Sequence, residues 1–220
     1  MRTLSDRLYT IQTLIPKGVR VADIGTDHGH LPISLIKEGK CETVIACDIR
    51  EKPLENARKN IEKTATEGIE LRLGDGLSPV LPDEVDYIVI AGMGGEVISN
   101  ILDGAKWTRD EKYTLIFNPT TSADALRKYL SENRFEILSE TAVLDAGKLY
   151  TVIKAVYSGK PQPKSEAFYR IGRLLKSDST AALYIEKQIR IIKKCISDLE
   201  AAGKTDDLDG FKKILSEMEK

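Results

Sequence analysis

One stretch of this chain decides its fold: Val19-Arg20-Val21-Ala22-Asp23-Ile24-Gly25-Thr26-Asp27-His28-Gly29-His30-Leu31. An apolar run ends on an acidic residue, two glycines follow four positions apart, and an amphipathic helical pattern begins at once. This order is typical of a buried parallel strand that turns tightly into a helix beside a nucleotide-like ligand. Gly25 and Gly29 let the backbone approach that ligand, because a side chain at either position would block it.

The acids in this loop separate two classes of cofactor. A pyrophosphate-binding loop reads G-x-G-x-x-G, whereas this loop has the spacing G-x-x-x-G with Asp23 and Asp27 on either side of Gly25. Two carboxylates repel a pyrophosphate and attract a cation, which favours S-adenosylmethionine over a nicotinamide dinucleotide. A tight turn with solvated acids is the structural alternative. We assign these residues of the loop to the cofactor: Asp23, Gly25, Thr26, Gly29, His30 and Leu31.

Three later strand ends add polar or bare positions to the same predicted site. Asp48 follows the second strand, where a carboxylate accepts hydrogen bonds from ribose hydroxyls; the alternative is a surface acid beside Arg50. Asp75 is placed to accept from the adenine amine, although a simple β-turn also uses Gly and Asp. Met93 packs against a base or plugs the floor of the site. The cofactor residues predicted here are Asp48, Ile49, Asp75, Gly76, Gly92, Met93 and Gly94.

Apolar segments alternate with helical patterns, which predicts an α/β fold with a mostly parallel sheet. Strands are expected at 20–24, 43–48, 69–73, 86–91, 113–118, 135–144 and 149–157. The turn between the last two is too short for a crossover helix, so that pair is antiparallel. One reversed strand beside five parallel ones is the sheet of Rossmann-like methyltransferases. Helices are expected at 31–37, 52–63, 94–102 and 122–133, the last with Ser122 as its N-cap, and a short one precedes the first strand.

A second domain is predicted after the Pro-containing linker that starts at Gly159, which gives domains of 1–158 and 159–220. Ile185, Ile189, Ile192 and their continuation form a heptad seam, and a second apolar stripe follows, so an antiparallel, coiled-coil-like helical hairpin is expected. Residues 159–220 carry a charge balance of +3, against −4 for residues 1–158. A substrate-docking role and a structural or dimerising role both fit this hairpin, and the oligomeric state stays open.

Composition indicates a cytoplasmic enzyme. The hydrophobic fraction is 41%, and no apolar run approaches the ~20 residues of a membrane span. No export signal is evident at the N-terminus. The three cysteines show no metal-ligand spacing, so no metal is expected, and their odd number argues against a disulfide framework.

Four segments carry a resemblance to a known family: residues 4–8, 22–32 and 91–95, and Gly147-Lys148-Leu149-Tyr150. Together with the helical extension after residue 160, these segments resemble the bacterial tRNA (adenine-22-N1)-methyltransferases over nearly the whole chain. The family usually has Gln-Pro-Asn after strand five, whereas this chain has Asn118-Pro119-Thr120. The resemblance implies methyl transfer from S-adenosylmethionine to adenine N1 in the D-arm region of tRNA.

On that chemistry, Asp27 is the candidate that stabilises positive charge on the base or accepts its proton. Arg7 is the second candidate, orienting Asp27 or contacting a phosphate, unless it only fixes the N-terminal helix by a salt bridge. Asn118 and Thr120 are assigned to the substrate. The alternatives are a methyltransferase for a small molecule or another RNA, an NAD-dependent oxidoreductase, and a non-catalytic module that recruits partners.

Overall fold

A seven-stranded sheet organises the computed structural model, which describes residues 4–204 and 207–220. The strands are β1 (Val21–Ile24), β2 (Val44–Asp48), β3 (Ile69–Leu73), β4 (Tyr87–Ala91), β5 (Thr114–Asn118), β6 (Phe135–Asp145) and β7 (Lys148–Tyr157). The helices are α1 (Asp6–Leu14), α2 (His30–Lys37), α3 (Glu51–Lys63), α4 (Gly95–Gly104), α5 (Ala123–Glu132), α6 (Glu166–Ile171), α7 (Ser179–Ala201) and α8 (Leu208–Glu219). All seven predicted strands are confirmed, with ends that differ by at most one residue.

The strand order is β3-β2-β1-β4-β5-β7-β6, and the first five strands run parallel. Strand β7 is antiparallel to both of its neighbours, as the short turn before it predicted. The strand order reverses between the neighbouring strands β1 and β4. From β1 the chain continues outward to β2 and β3 on one side of the sheet, and from β4 it continues to β5 on the other side. Open α/β sheets bind ligands at such a switch point, beyond the carboxyl ends of the strands.

The sheet is covered on both faces. Every residue of β1 and β2 is buried, which explains why both strands are apolar apart from Asp23 and Asp48. One face packs against α4 and α5 through Ile98 and Leu126, and the other packs against α1 and α2 through Ile11 and Leu35. The loops at the carboxyl edge are therefore mounted on a rigid, two-sided core.

The five predicted helices of the first 133 residues are confirmed as α1 to α5. The predicted N-cap position of Ser122 is confirmed for α5, but at φ 52° its side chain makes no capping hydrogen bond. Its carbonyl lies where a side chain on Gly95 would stand, so the packing of the loop against α4 fixes this backbone conformation.

Among the described residues after position 158 there are three helices, where the sequence predicted two; the short α6 was missed. Helices α7 and α8 are antiparallel, since Lys193 pairs with Glu219 at 2.8 Å and Lys212 with Glu200 at 3.1 Å. The residues of the predicted heptad seam pack against two different elements. Ile192 packs toward α8, whereas Ile185 packs on β6 beside Ala142. The division at residue 159 stays a prediction. Among the described residues, no helix has the length and apolar character to cross a membrane.

Candidate active site

The loop after β1 is held tightly against its neighbours. The backbone N–H groups of Gly25 and Thr26 both donate to the Cys47 carbonyl, at 2.8 and 2.9 Å. Gly25 has φ 78°, and a Cβ there would collide with the terminal methyl of Met93. Gly29 has φ 69°, and its Cβ would stand 3.1 Å from the Cβ of Ala57 on α3. Both glycines are thus required by conformation and by contact, and Met93 plugs the space over Gly25.

Asp23 is a buried carboxyl directly before this loop. Its relative exposure is 5%, and desolvation raises the pKa of Asp23 to about 6. The nearby Thr26 hydroxyl opposes that rise in pKa, and the charge of Asp48 adds to it. A buried acid with this pKa gains from a cationic neighbour, because positive charge stabilises its ionised form. The sulfonium and ammonium groups of S-adenosylmethionine meet that requirement.

The ends of β2 and β3 supply a second acidic position. Asp48 is 7% exposed, and its Oδ1 accepts the backbone N–H of Arg50 at 3.0 Å. That bond leaves Oδ2 available to hydroxyl groups of a ligand. Ile49 beside it is 59% exposed and offers an apolar surface to a flat ring. The Gly74 N–H donates to the Asp48 carbonyl at 3.0 Å, which holds the Asp75 turn next to this position.

The glycines after β4 leave room beside these residues. At Gly92, where φ is 80°, no atom lies within 4 Å of the place a Cβ would take, so the backbone borders open space. A cradle of bare backbone flanked by Asp23 and Asp48 fits the methyl donor. The Thr120 N–H donates to the Met93 carbonyl at 2.8 Å, which joins the β4 loop to the β5 loop. Gly94 contacts Thr121 where the same two loops meet. The assignment of these residues to the cofactor, including Gly76, stays a prediction.

Asp27 stands outward from the first loop. It has φ 51°, its carboxylate is 63% exposed, and His28 Nε2 lies 3.6 Å from its Oδ2. The ring of His30, the first residue of α2, is 5.5 Å from the ring of His28. Burial and the charge of His28 lower the pKa of His30, which favours its neutral form. Leu31 is buried in the core beneath. Asp27 is therefore an accessible acid at the mouth of the crevice.

Arg7 has different partners from those the sequence suggested. Its Nε donates to Asp145 at 2.7 Å and its Nη1 to Asn118 Oδ1 at 3.2 Å, rather than to Asp27. The guanidinium also lies 4.5 Å from the centre of the Tyr150 ring. The salt bridge that fixes α1 is thus present, but it is made beside the predicted substrate residue Asn118. Thr120 is exposed in the same loop.

Sequence reasoning missed Asp145 and Tyr150 as members of this site. Both belong to the β6–β7 hairpin, which extends past the end of β5 and forms a wall beside Asn118. The Asn118 amide Nδ2 donates to the Thr151 carbonyl at 2.9 Å, so the orientation of this amide is fixed from two sides. Its Oδ1 keeps one lone pair for a further donor. The signal for Tyr150 was its place in the Gly147-Lys148-Leu149-Tyr150 segment.

The arrangement combines an anionic cofactor crevice with a wall that carries an acid, a paired arginine and an oriented amide. Among the described residues, no group of three or more His, Cys, Asp or Glu side chains is placed to hold a metal ion. The crevice suits group transfer from a cationic donor, and the wall suits recognition of a planar, polar acceptor.

Comparison with known proteins gives consistent results. Residues 4–153 match a family model described as a methyltransferase domain. The tRNA (adenine(22)-N(1))-methyltransferase of Bacillus subtilis is 37% identical over 153 residues, which span 69% of this chain and 64% of that enzyme, just under two thirds of its length. The crystal structure of the B. subtilis M1A22 tRNA methyltransferase TrmK is 30% identical, with a TM-score of 0.81 over 98% of this chain and 94% of that one.

A third comparison concerns the ligand. Streptococcus pneumoniae Sp1610, described as a putative tRNA (m1A22) methyltransferase in complex with S-adenosyl-L-methionine, is 30% identical with a TM-score of 0.80. The match covers 97% of this chain and 100% of that one, so the helical extension is included.

Proposed function

The chain belongs to the methyltransferase-domain family and, within it, to the tRNA (adenine(22)-N1)-methyltransferases; from that premise we propose that it methylates N1 of adenine 22 in tRNA, with S-adenosylmethionine as the donor. The observation that carries the proposal is the similarity to solved m1A22 methyltransferases along nearly the whole chain, helical extension included. A tRNA substrate makes the cytoplasm the place of action.

The residues at the switch point would hold the cofactor. Asp23 and the bare backbone around Gly25 would face its charged amino-acid end, and Asp48 would accept from its ribose hydroxyls. Ile49 and the Asp75 turn would flank the adenine ring. When bound, the cofactor supplies an electrophilic methyl group on a sulfonium. The acids of the crevice hold that cation without forming a covalent bond to it.

Adenine N1 carries a lone pair, so its attack on a methyl group requires no strong base. As the N1–carbon bond forms, the sulfur–methyl bond would break, so positive charge would pass from the sulfonium to the ring and leave a neutral thioether. A nearby carboxylate would stabilise the charge on the ring. Asp27 is the accessible acid at the mouth of the crevice. It would stabilise this charge or accept the proton that the 6-amino group loses.

We infer that Arg7 is a positioning residue in this reaction. Its charge is offset by Asp145 at 2.7 Å, so it does not oppose a cationic product. Through Nη1 it fixes the Asn118 carbonyl, whose free lone pair is available to the exocyclic amine of the base. Thr120, exposed in the same loop, would contact the substrate from the other side.

The target base must leave its stack, because N1 lies on the Watson–Crick edge; this costs roughly a few kcal/mol. Contacts elsewhere on the tRNA have to supply that energy. The helical extension, with its positive charge balance, offers those contacts to the phosphate backbone.

Mass spectrometry of nucleosides tests the proposal directly. The enzyme is incubated with labelled S-adenosylmethionine and, in separate reactions, with tRNA, free adenine nucleotides or an unrelated RNA. Labelled 1-methyladenosine from tRNA alone is the expected result. Equal label in free nucleotides or in the unrelated RNA would favour another substrate, and binding of NAD in place of S-adenosylmethionine would refute the enzyme class.

A further inference from the structure

A cavity of about 170 Å³ lies where the helical extension meets the wall that the β6–β7 hairpin forms beside Asn118. Four parts of the chain line it: the loop from β5 into α5, the start of β7, α6 through Arg170, and α7. The side chains that matter here are Thr120, Thr121, Tyr150, Lys187, Gln188 and Ile191.

The polar side chains that line the cavity are of the kinds that proteins use to bind a nucleic-acid backbone. Ammonium, amide, hydroxyl and phenol groups are the side chains with which proteins contact phosphate and sugar. The acid in the lining, Asp124, is neutralised by Arg170 at 2.8 Å. Lys187 therefore leaves the cavity with a net positive charge.

Lys187 differs from other lysines of the same helix. Lys193 pairs with Glu219 at 2.8 Å, and Lys194 pairs with Asp198 at 2.7 Å. Within residues 4–204 and 207–220, Lys187 has neither an ion pair nor a hydrogen bond. Its ammonium group is thus available to an anion from outside the protein.

The cavity shares a wall with the proposed reaction site. Tyr150 lines the cavity and also lies against the guanidinium of Arg7. Thr151, next in the chain, accepts the amide of Asn118 through its carbonyl. The cavity and the proposed reaction site therefore adjoin each other.

The two sides of the cavity are held at a fixed distance. Arg127 on α5 donates to the carbonyls of Tyr169 and Arg170 at 2.8 and 3.0 Å and lies 5.8 Å from the ring of Tyr184 on α7. Since Arg127 is fully buried, this connection between α5 and the extension is not exchanged for water. The cavity is formed before a ligand arrives.

We propose that this cavity binds the sugar-phosphate of a tRNA nucleotide next to the methylated adenine, with Lys187 contacting the phosphate. Thr120, Thr121 and Gln188 supply the hydrogen bonds to the sugar-phosphate, and Ile191 covers the apolar side. The inference rests on the proposed function and adds a second contact point to it.

The experiment compares Lys187→Gln with Lys194→Gln, a matched loss of charge elsewhere on α7. Both variants are assayed for tRNA methylation and for tRNA binding over a range of salt concentrations. Lys187→Gln is expected to raise the KM for tRNA about 10-fold and to reduce the slope of log affinity against log salt by about 0.7 to 0.9. Lys187→Arg restores most of the loss, and Lys194→Gln behaves as wild type.

The outcomes separate this inference from the proposed function. An active wild type with Lys187→Gln and Lys194→Gln indistinguishable in KM and salt slope overturns the cavity alone. An equal loss of tRNA and S-adenosylmethionine affinity in Lys187→Gln also overturns it, because a phosphate contact leaves the cofactor site untouched. A wild type that methylates no tRNA overturns the proposed function, and this inference with it.

Discussion

Replacement of Arg127 by Met is expected to destabilise the protein more than any surface change. The side chains of Arg127 and Glu140 are both 0% exposed and form an ion pair between α5 and β6. Arg127 Nε donates to Glu140 Oε1 at 2.9 Å, and its Nη1 satisfies two carbonyls at the end of α6. The pair therefore joins the sheet to the helical extension.

The magnitude follows from what the substitution leaves behind. Met fills much of the space of Arg but leaves Glu140 buried without its counter-charge, a change that costs about 3–5 kcal/mol. For a chain of 220 residues this corresponds to a fall in Tm of roughly 6–20 °C. The double variant Arg127→Met/Glu140→Leu removes both charges and is expected to recover to within about 2 kcal/mol of wild type, the remainder reflecting the two carbonyls that lose their donor.

Urea unfolding followed by circular dichroism measures both variants, with the slope m checked for constancy so that midpoints report stability. Glu140→Gln serves as a control that keeps the shape and removes one charge. A loss below about 1 kcal/mol in the single variant, or a double variant no more stable than the single one, would refute the view that an uncompensated buried charge dominates.

Three further predictions concern the crevice. Asp27→Asn, which tolerates the positive φ, should lower kcat for tRNA methylation about 100-fold or more while melting as wild type; turnover near wild type would remove Asp27 from the chemistry. Because the pKa of Asp23 is about 6 and its ionised form attracts the cofactor, calorimetry should show S-adenosylmethionine binding weakened about 10-fold between pH 7 and pH 5. Asp23→Asn should bind more weakly with no such dependence; a wild-type profile that is flat would contradict this. Gly25→Ala, strained at φ 78° and clashing with Met93, should lower the free energy of unfolding by about 1–3 kcal/mol and cofactor affinity at least about 10-fold, and Met93→Ala should relieve only part of both losses.

The sheet was predictable because its signals are local. Each strand is a short apolar run bounded by turn residues, and the two-sided burial of β1 and β2 makes those runs continuous. The hairpin β6–β7 followed from a connection too short for a helix. The positions of Asp23, Asp48 and Gly92 at one edge follow in turn, since parallel strands end together.

The wall of the site was harder to predict from the sequence, because it depends on contacts between residues that are distant in the chain. Arg7 and Asp145 are 138 positions apart, and nothing in either neighbourhood specifies their pairing. The sequence likewise gives no sign that Arg127 and Glu140 are buried. Only the packing of α5 against β6 brings the two side chains together and covers them. Ser122 shows the same limit on a smaller scale, since its backbone conformation is imposed by contact with Gly95 on α4.

The most direct measurement uses two tRNA transcripts that differ only at position 22, one with adenine and one with guanine. Each is incubated with the protein and labelled methyl donor, and the label is counted and mapped. We expect about one methyl group on N1 of adenine 22 in the first transcript and none on the second. Equal incorporation into both, or a methyl group mapped to another position, would contradict it.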